Sequence, residues 1–403
     1  MPVAGHTVAA PVQATAPGPP RNVDRLVLHQ LDVGHPVPGG VDGVVRGILR
    51  FASPQDVVAV VGVLALDAPG RAVGTWERHD LAGRTVWFLP VAGLDSSDQH
   101  RRVPHAVRLV LGALRHRRRL PRARVVHAHR VDTAWAARRL FPRTPLVHFV
   151  HNQENGLTTG ATDSFWRRAP RVHEALERSV VRSARATVVF NEDYSRTLGA
   201  RAPRVSFSPN WFEPEVVRFS AQATDPYRIV WLGRLEPMKD PLLALAAFAA
   251  LVERDPAHPW HLLLVGSGTL AADVAARHES LPPDVRARVR LTGAVAPAEV
   301  GALLAGSAVF LMTSVPGYEG HPRVLVEALA AGLPAVVTEG SDTGRLVTPG
   351  TNGAVTGRGP EEIAAALLTS VDLSRAAART SVDDLAADRV VARILDLEEV
   401  PRG

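Results

Sequence analysis

The stretch Ala308-Val-Phe-Leu-Met312-Thr-Ser-Val-Pro-Gly-Tyr-Glu319-Gly-His-Pro-Arg-Val-Leu-Val-Glu327-Ala-Leu-Ala-Ala-Gly332-Leu-Pro334-Ala-Val-Val-Thr338 reads as strand, loop, helix, strand. Two short apolar runs, at 308–312 and 334–338, flank a segment of helical periodicity. Pro322 falls near the helix start, where a missing N–H costs nothing. Gly332 and Pro334 stop it. A buried strand, a helix and a second buried strand make one unit of a parallel sheet. The same alternation recurs outward from this stretch. Strands are expected near 227–232, 261–265 and 288–291, and helices near 241–253, 269–278, 297–305 and 361–369. The first half repeats the architecture, with strands near 25–31, 57–64, 85–89, 124–129, 145–150 and 186–190. Its helices fall near 41–51, 103–117, 133–140 and 172–183. Periodicity halts from Pro209-Asn-Trp-Phe-Glu-Pro214 to Asp225-Pro226. The expected fold is α/β, with two doubly wound parallel-sheet domains at 23–212 and 213–403 behind a disordered leader at 1–22. The final helix is a candidate to pack back on the N-terminal domain. Parallel sheets bind ligands outside the carboxyl ends of their strands, so two such domains facing each other would enclose a central cleft there.

A chain of 403 residues suits two such cores. Apolar residues at 46% and charged residues at 21% give a globular balance. With no cysteine there is no disulfide, thiolate metal site or cysteine nucleophile. Prolines at Pro2, Pro11, Pro17, Pro19 and Pro20 would interrupt a signal helix. No apolar run reaches the roughly 18 residues that a spanning helix needs. The expected location is the cytoplasm, with peripheral contact at the inner face of the cell membrane left open.

In the second domain the strand near 227–232 runs into Gly233-Arg-Leu-Glu-Pro-Met-Lys239-Asp-Pro241 before a helix. Arg234 offers a planar fork and Lys239 a point charge, a pairing suited to a diphosphate. Glu319 lies just before the next helix, whose N-terminal amides and dipole attract phosphate. Glu327 lies further along it, able to accept hydrogen bonds from ribose hydroxyls. Taken singly, each also fits a plainer reading. Arg234 and Lys239 suit solvated loop charges, Glu319 a helix-entry anion and Glu327 a surface residue. The plainer reading weakens when all four are taken together.

Glu319-x7-Glu327, preceded by Gly233-Arg234-x4-Lys239, closely resembles glycosyltransferase family 4, the retaining, group 1 glycosyl transferases of GT-B fold. The resemblance runs from Arg25 to about Ser370. It includes Val265-Gly-Ser-Gly268, Leu291-Thr-Gly293 and Ala330-Ala-Gly-Leu-Pro334. It implies two Rossmann-like domains facing a central cleft. It also implies that Arg234 and Lys239 bind the donor diphosphate, Glu319 contacts the transferred sugar and Glu327 the nucleotide ribose. Gly320, His321 and Arg323 fall among the substrate-binding positions. Two departures stand out. Asp240 follows Lys239 where the family usually has glycine, and His321 takes a place that is commonly phenylalanine.

In the first domain, Gly39-Gly40 precedes a helix and permits close backbone approach to a phosphate or sugar, or simply a tight turn. The family has a Gly-Gly loop here, near donor phosphate and acceptor. The strand near 145–150 ends at His151, which the resemblance assigns to contact with the reacting sugar. His148, inside the strand, is the rival. His127 and His129 share a strand face, and a metal pair there would still lack ligands; a structural or acceptor-side role is preferred. Ten arginines and no acid lie between Arg101 and Arg130. With Val103, Val107, Leu109, Leu111 and Leu114 they form a basic amphipathic helix suited to an anionic membrane, or an ordinary solvated face. No aromatic platform accompanies them, which argues against nucleic acid.

The expected reaction moves a hexose-type sugar from an NDP-sugar to a hydroxyl of a glycan, glycolipid or natural-product acceptor, with retention. No Asp-x-Asp metal motif appears, so no metal is expected. A GT-B sugar-nucleotide epimerase and a non-catalytic sugar-nucleotide-binding subunit are the alternatives. A dinucleotide dehydrogenase is disfavoured because Gly266-x-Gly268 lacks the third spaced glycine.

Overall fold

The strand VAVVGVLA at Val58–Ala65, buried along almost its whole length, belongs in the middle of a sheet covered on both faces. The structure, a computed structural model, places it so. It describes residues 21–36, 40–65, 70–94, 105–151, 170–342 and 344–398. These divide into two compact units: residues up to 151, 170–208 and 391–398 form unit 1, and 209–390 form unit 2. Most of the leader read at 1–22 lies outside the described residues, and Asn22 already belongs to the first strand.

Unit 1 runs β1 (Asn22–Leu28), α1 (Gly40–Phe51), β2 (Val58–Ala65), β3 (Glu77–Leu81), β4 (Arg84–Leu94), α2 (His105–Arg115), β5 (Arg122–Ala128), α3 (Val131–Leu140), β6 (Leu146–Val150), α4 (Pro170–Ser183), β7 (Ala186–Val189), α5 (Glu192–Gly199) and β8 (Val205–Phe207). The sheet order is β3-β4-β2-β1-β5-β6-β7-β8. Every pair is parallel except β3 with β4. The chain leaves β1 for β2 on one side and returns to β5 on the other, so the switch point lies between β1 and β5. β1 ends at Leu28, three residues earlier than the expected strand, which puts His29 at the sheet's carboxyl edge.

Unit 2 runs β9 (Arg228–Leu232), α6 (Pro241–Arg254), β10 (His261–Val265), α7 (Ala271–Glu279), α8 (Pro283–Arg286), β11 (Val289–Gly293), α9 (Pro297–Ala305), β12 (Val309–Met312), α10 (Arg323–Ala330), β13 (Ala335–Thr338), β14 (Gly353–Thr356), α11 (Pro360–Ser370) and α12 (Arg375–Thr380). The order β11-β10-β9-β12-β13-β14 is parallel throughout. Leu245, Phe248, Ile363 and Leu367 pack with one face of this sheet, and Leu325, Val326 and Leu329 with the other. Burying each such side chain stabilises the unit by about 1.5–3 kcal/mol. A last helix, α13 (Ala387–Asp396), belongs to unit 2 up to Val390 and to unit 1 from Val391. Beyond it, Glu398 pairs in unit 1 with Arg25 of β1 at 2.6 Å.

Candidate functional site

In unit 2 the loops after β9 and β12 are bound to each other, and that brings the expected charges together. Thr313, just past β12, directs its hydroxyl at the carbonyls of Lys239 (3.0 Å) and Asp240 (2.8 Å) and accepts from Trp231 Nε1 (2.9 Å). Val315 N–H donates to Met238 O at 2.9 Å. Arg358 donates to the carbonyls of Thr313 and Ser314 and pairs with Asp240 at 2.6 Å. Across this joint the Lys239 ammonium meets the Glu319 carboxylate, which also accepts from Ser314 Oγ at 3.1 Å. Arg234 Nη2 donates to Tyr318 Oη at 2.9 Å, and Lys239 Nζ lies 5.9 Å from the Tyr318 ring centroid. Arg234, Lys239, Tyr318 and Glu319 thus form one cluster outside the carboxyl ends of β9 and β12, the two strands between which unit 2 has its own switch point.

The glycines of Val265-Gly-Ser-Gly268 have a packing reason. A Cβ on Gly266 would lie 1.8 Å from Gly233 O, and one on Gly268 would lie 2.5 Å from Leu235 O. Gly266 also has φ +145°, where side chains are strained. The loop carrying Arg234 is therefore pressed against the loop after β10, with Leu235 N–H donating to Ser267 O at 2.9 Å.

Gly320 and His321 link Glu319 to Pro322, the N-cap of α10. His321 is buried, and its Nδ1 accepts from Asn210 N–H at 3.1 Å, while the Asn210 amide donates to His321 O. Burial lowers the His321 pKa to about 4, so the ring is neutral near pH 7, as an accepting Nδ1 requires. Arg323 Nε donates to Glu327 Oε1 at 2.8 Å, one turn along α10, and Arg323 Nη2 reaches Glu213 Oε1 at 3.3 Å. Burial pushes the Glu327 carboxyl up, against the pull of Arg323. Glu213, Asn210 and Arg358 carried no local signal in the sequence; only the fold brings them to the site.

In unit 1 the carboxyl edge carries a row of rings. His29, His129, His151 and Phe190 are the first residues after β1, β5, β6 and β7, which are neighbours in the sheet. Ring centroids are 5.4 Å apart for His29 and His129, 5.2 Å for His129 and His151, and 4.9 Å for His151 and Phe190. His129 Nδ1 and His151 Nε2 share a hydrogen bond of 2.9 Å. Burial and the neighbouring imidazoles His29 and His148 lower the His151 pKa to about 3. His148 is buried in β6, with Nδ1 donating to Ala128 O at 3.2 Å. His127, on the same strand as His129, meets Glu398 at 2.7 Å. Among the described residues no group of three or more His, Asp or Glu is placed to hold a metal ion. Gly40 opens α1 with open space where a Cβ would stand; Gly39, Arg101, Arg102 and Val103 lie outside the described residues.

Residues 226–372 match the family described as Glycosyl transferases group 1. A D-inositol 3-phosphate glycosyltransferase of Rhodococcus opacus is 28% identical over 390 residues, covering 87% of this chain and 83% of that protein. Among solved structures, sucrose-phosphate synthase from Thermosynechococcus elongatus aligns with a TM-score of 0.69 at 16% identity, covering 93% of this chain and 98% of the other. The Anabaena protein HepE, solved in complex with UDP and glucose, aligns with a TM-score of 0.64 at 16% identity, covering 93% and 98%.

Proposed function

From the premise that this chain is a glycosyltransferase of the group 1 family with the GT-B fold, we propose that it transfers a hexose-type sugar from a nucleoside diphosphate donor to an acceptor hydroxyl, with retention. The observation that carries the donor assignment is the meeting of Lys239, Arg234, Tyr318 and Glu319 beside the N-terminus of α10. As the bond from anomeric carbon to phosphate oxygen breaks, negative charge grows on the diphosphate. Lys239, Arg234 and the α10 amides are preorganised donors for that charge, the kind of electrostatic effect that usually dominates catalysis. The acceptor oxygen bonds to the anomeric carbon on the face the phosphate leaves, and the departing phosphate oxygen takes the acceptor proton. Glu319 positions the sugar and Glu327 takes the ribose hydroxyls; the neighbouring Gly320, His321 and Arg323 shape that pocket. In unit 1, His151 contacts the reacting sugar and Gly39-Gly40 contributes backbone approach. The two cations neutralise the diphosphate without a metal.

Lys239 pairs with Glu319, so a diphosphate would compete with that carboxylate for the ammonium. A panel of UDP-, GDP- and ADP-sugars in a thermal-shift assay, with UDP first because HepE holds it, identifies the base. Lys239→Ala is expected to abolish the shift and lower turnover about a hundredfold or more. A shift that survives Lys239→Ala removes the phosphate assignment. For the acceptor side, α2 supports contact with an anionic membrane surface: Val107, Leu111 and Leu114 are exposed on a helix that leads into Arg117–Arg119.

A further inference from the structure

The segment by which the chain enters unit 2, residues 209–214, touches the candidate donor site twice. Phe212 fixes this segment. Its N–H donates to Leu385 O at 3.1 Å, its carbonyl accepts from Ala387 N at 2.9 Å, and its fully buried ring lies 4.5 Å from the Arg379 guanidinium. Trp211 beside it is fully buried as well. The flanking residues Asn210 and Glu213 are therefore held by a backbone with little freedom. Asn210 grips the loop at His321 through both its N–H and its side-chain amide. Glu213 accepts from Arg323 Nη2 at 3.3 Å, while Arg323 Nε donates to Glu327 Oε1 at 2.8 Å.

One guanidinium thus serves two carboxylates. An arginine facing one carboxylate can close on both of its oxygens in a forked pair. Here the second arm is drawn off to Glu213, and only Oε1 of Glu327 takes a bond from Arg323. We propose that Glu213 is a positioning residue for nucleotide binding, keeping the second oxygen of Glu327 open to ribose hydroxyls by engaging one arm of Arg323. Asn210 holds the preceding loop in register with it. The inference rests on the assignment of Glu327 to the ribose made above.

Calorimetry on the full chain with UDP, GDP and ADP, and with pyrophosphate as the probe that lacks a ribose, tests it. Glu213→Gln is expected to weaken the preferred nucleoside diphosphate about tenfold, the scale of one hydrogen bond to a charged group. Pyrophosphate affinity stays within about twofold, because its contacts are elsewhere. In a Glu327→Ala background the same substitution adds no further loss. Arg323→Lys, which keeps the charge but not the fork, is the second variant and shows the same selective loss. Unchanged nucleotide affinity, equal loss of both ligands, or a loss that persists undiminished without Glu327 overturns the proposal. If Glu327→Ala alone leaves the ratio of nucleotide to pyrophosphate affinity unaltered, the ribose assignment itself fails and takes this role of Glu213 with it.

Discussion

Asp240 stands at φ +46°, ψ 62°, in the left-handed region. Outside glycine that conformation costs roughly 1–2 kcal/mol, with aspartate among the residues that tolerate it best. The chain offsets the cost locally. The Asp240 carboxylate caps α6 by accepting from Leu243 N–H at 3.2 Å and pairs with Arg358 at 2.6 Å. At this position, where the family usually has glycine, the backbone takes the turn that glycine takes most cheaply, and the side chain is put to use. Asp240→Ala loses the cap and keeps the strain, so it is expected to destabilise unit 2 by about 1–2 kcal/mol. Asp240→Gly loses the pair but relieves the strain, and should cost less than half as much. Urea denaturation of the two variants decides the matter, and alanine outranking glycine would refute the left-handed turn.

At the scale of elements, α2 exposes Val107 (44%), Leu111 (59%) and Leu114 (42%) at positions i, i+4 and i+7, a single stripe. Arg115 and Arg117–Arg119 follow, all exposed. Apolar burial plus attraction to acidic headgroups sets the affinity of such a helix. Sedimentation with phosphatidylglycerol-containing vesicles should carry the protein down, and pure phosphatidylcholine vesicles should not. Leu111→Glu should lower the bound fraction about tenfold without altering the unfolding midpoint, since the residue is exposed in the folded chain. Equal binding to both vesicle types, or undiminished binding by the variant, sinks the membrane reading. The apolar elements were legible for the same reason that α2 is conspicuous: periodicity reports which face meets apolar matter. α10 was bounded in advance by Pro322 and Gly332 because both act locally. β3, with the sequence ERHDL, was not, because it pairs antiparallel at the edge of the sheet through β4 and carries no apolar run of its own. β14 owes its place to its pairing with β13 instead of to its composition.

For the molecule as a whole, the candidate donor residues were legible because charge, helix start and spacing are local properties. Their partners were not, since Lys239 meets Glu319 across 80 positions and Asp240 meets Arg358 across 118. Histidine placement was harder still. Carrying β1 on to Leu31, three residues past its end, hid His29, which the structure sets in a row with His129 and His151. That burial has a consequence for stability. Burial, foremost, lowers the pKa of His29 to about 3, of His148 to about 4 and of His321 to about 4, and lowers that of His129 well below its ordinary value. In the unfolded chain each histidine titrates near 6.5. Above about pH 6.5 both states are neutral and the full stability is present. Below it the unfolded chain takes up protons that the folded chain refuses, so stability falls as pH falls, by up to about 1.4 kcal/mol per pH unit for each histidine. Glu398 behaves differently: burial, which raises its pKa, is outweighed by His127 and Arg25, which hold it at about 2. Its contribution is lost only below the ordinary carboxyl value of about 4.5. In the window from pH 6.5 to 4.5 the histidines lower stability as pH falls, while Glu327 and Asp342, pushed up by burial, work in the opposite direction and are outnumbered. Urea midpoints should drop steadily through that window, and His148→Phe should make the drop shallower by one proton's slope. A flat profile between those limits, or an unchanged slope in the variant, would mean that these rings reach water in the folded chain.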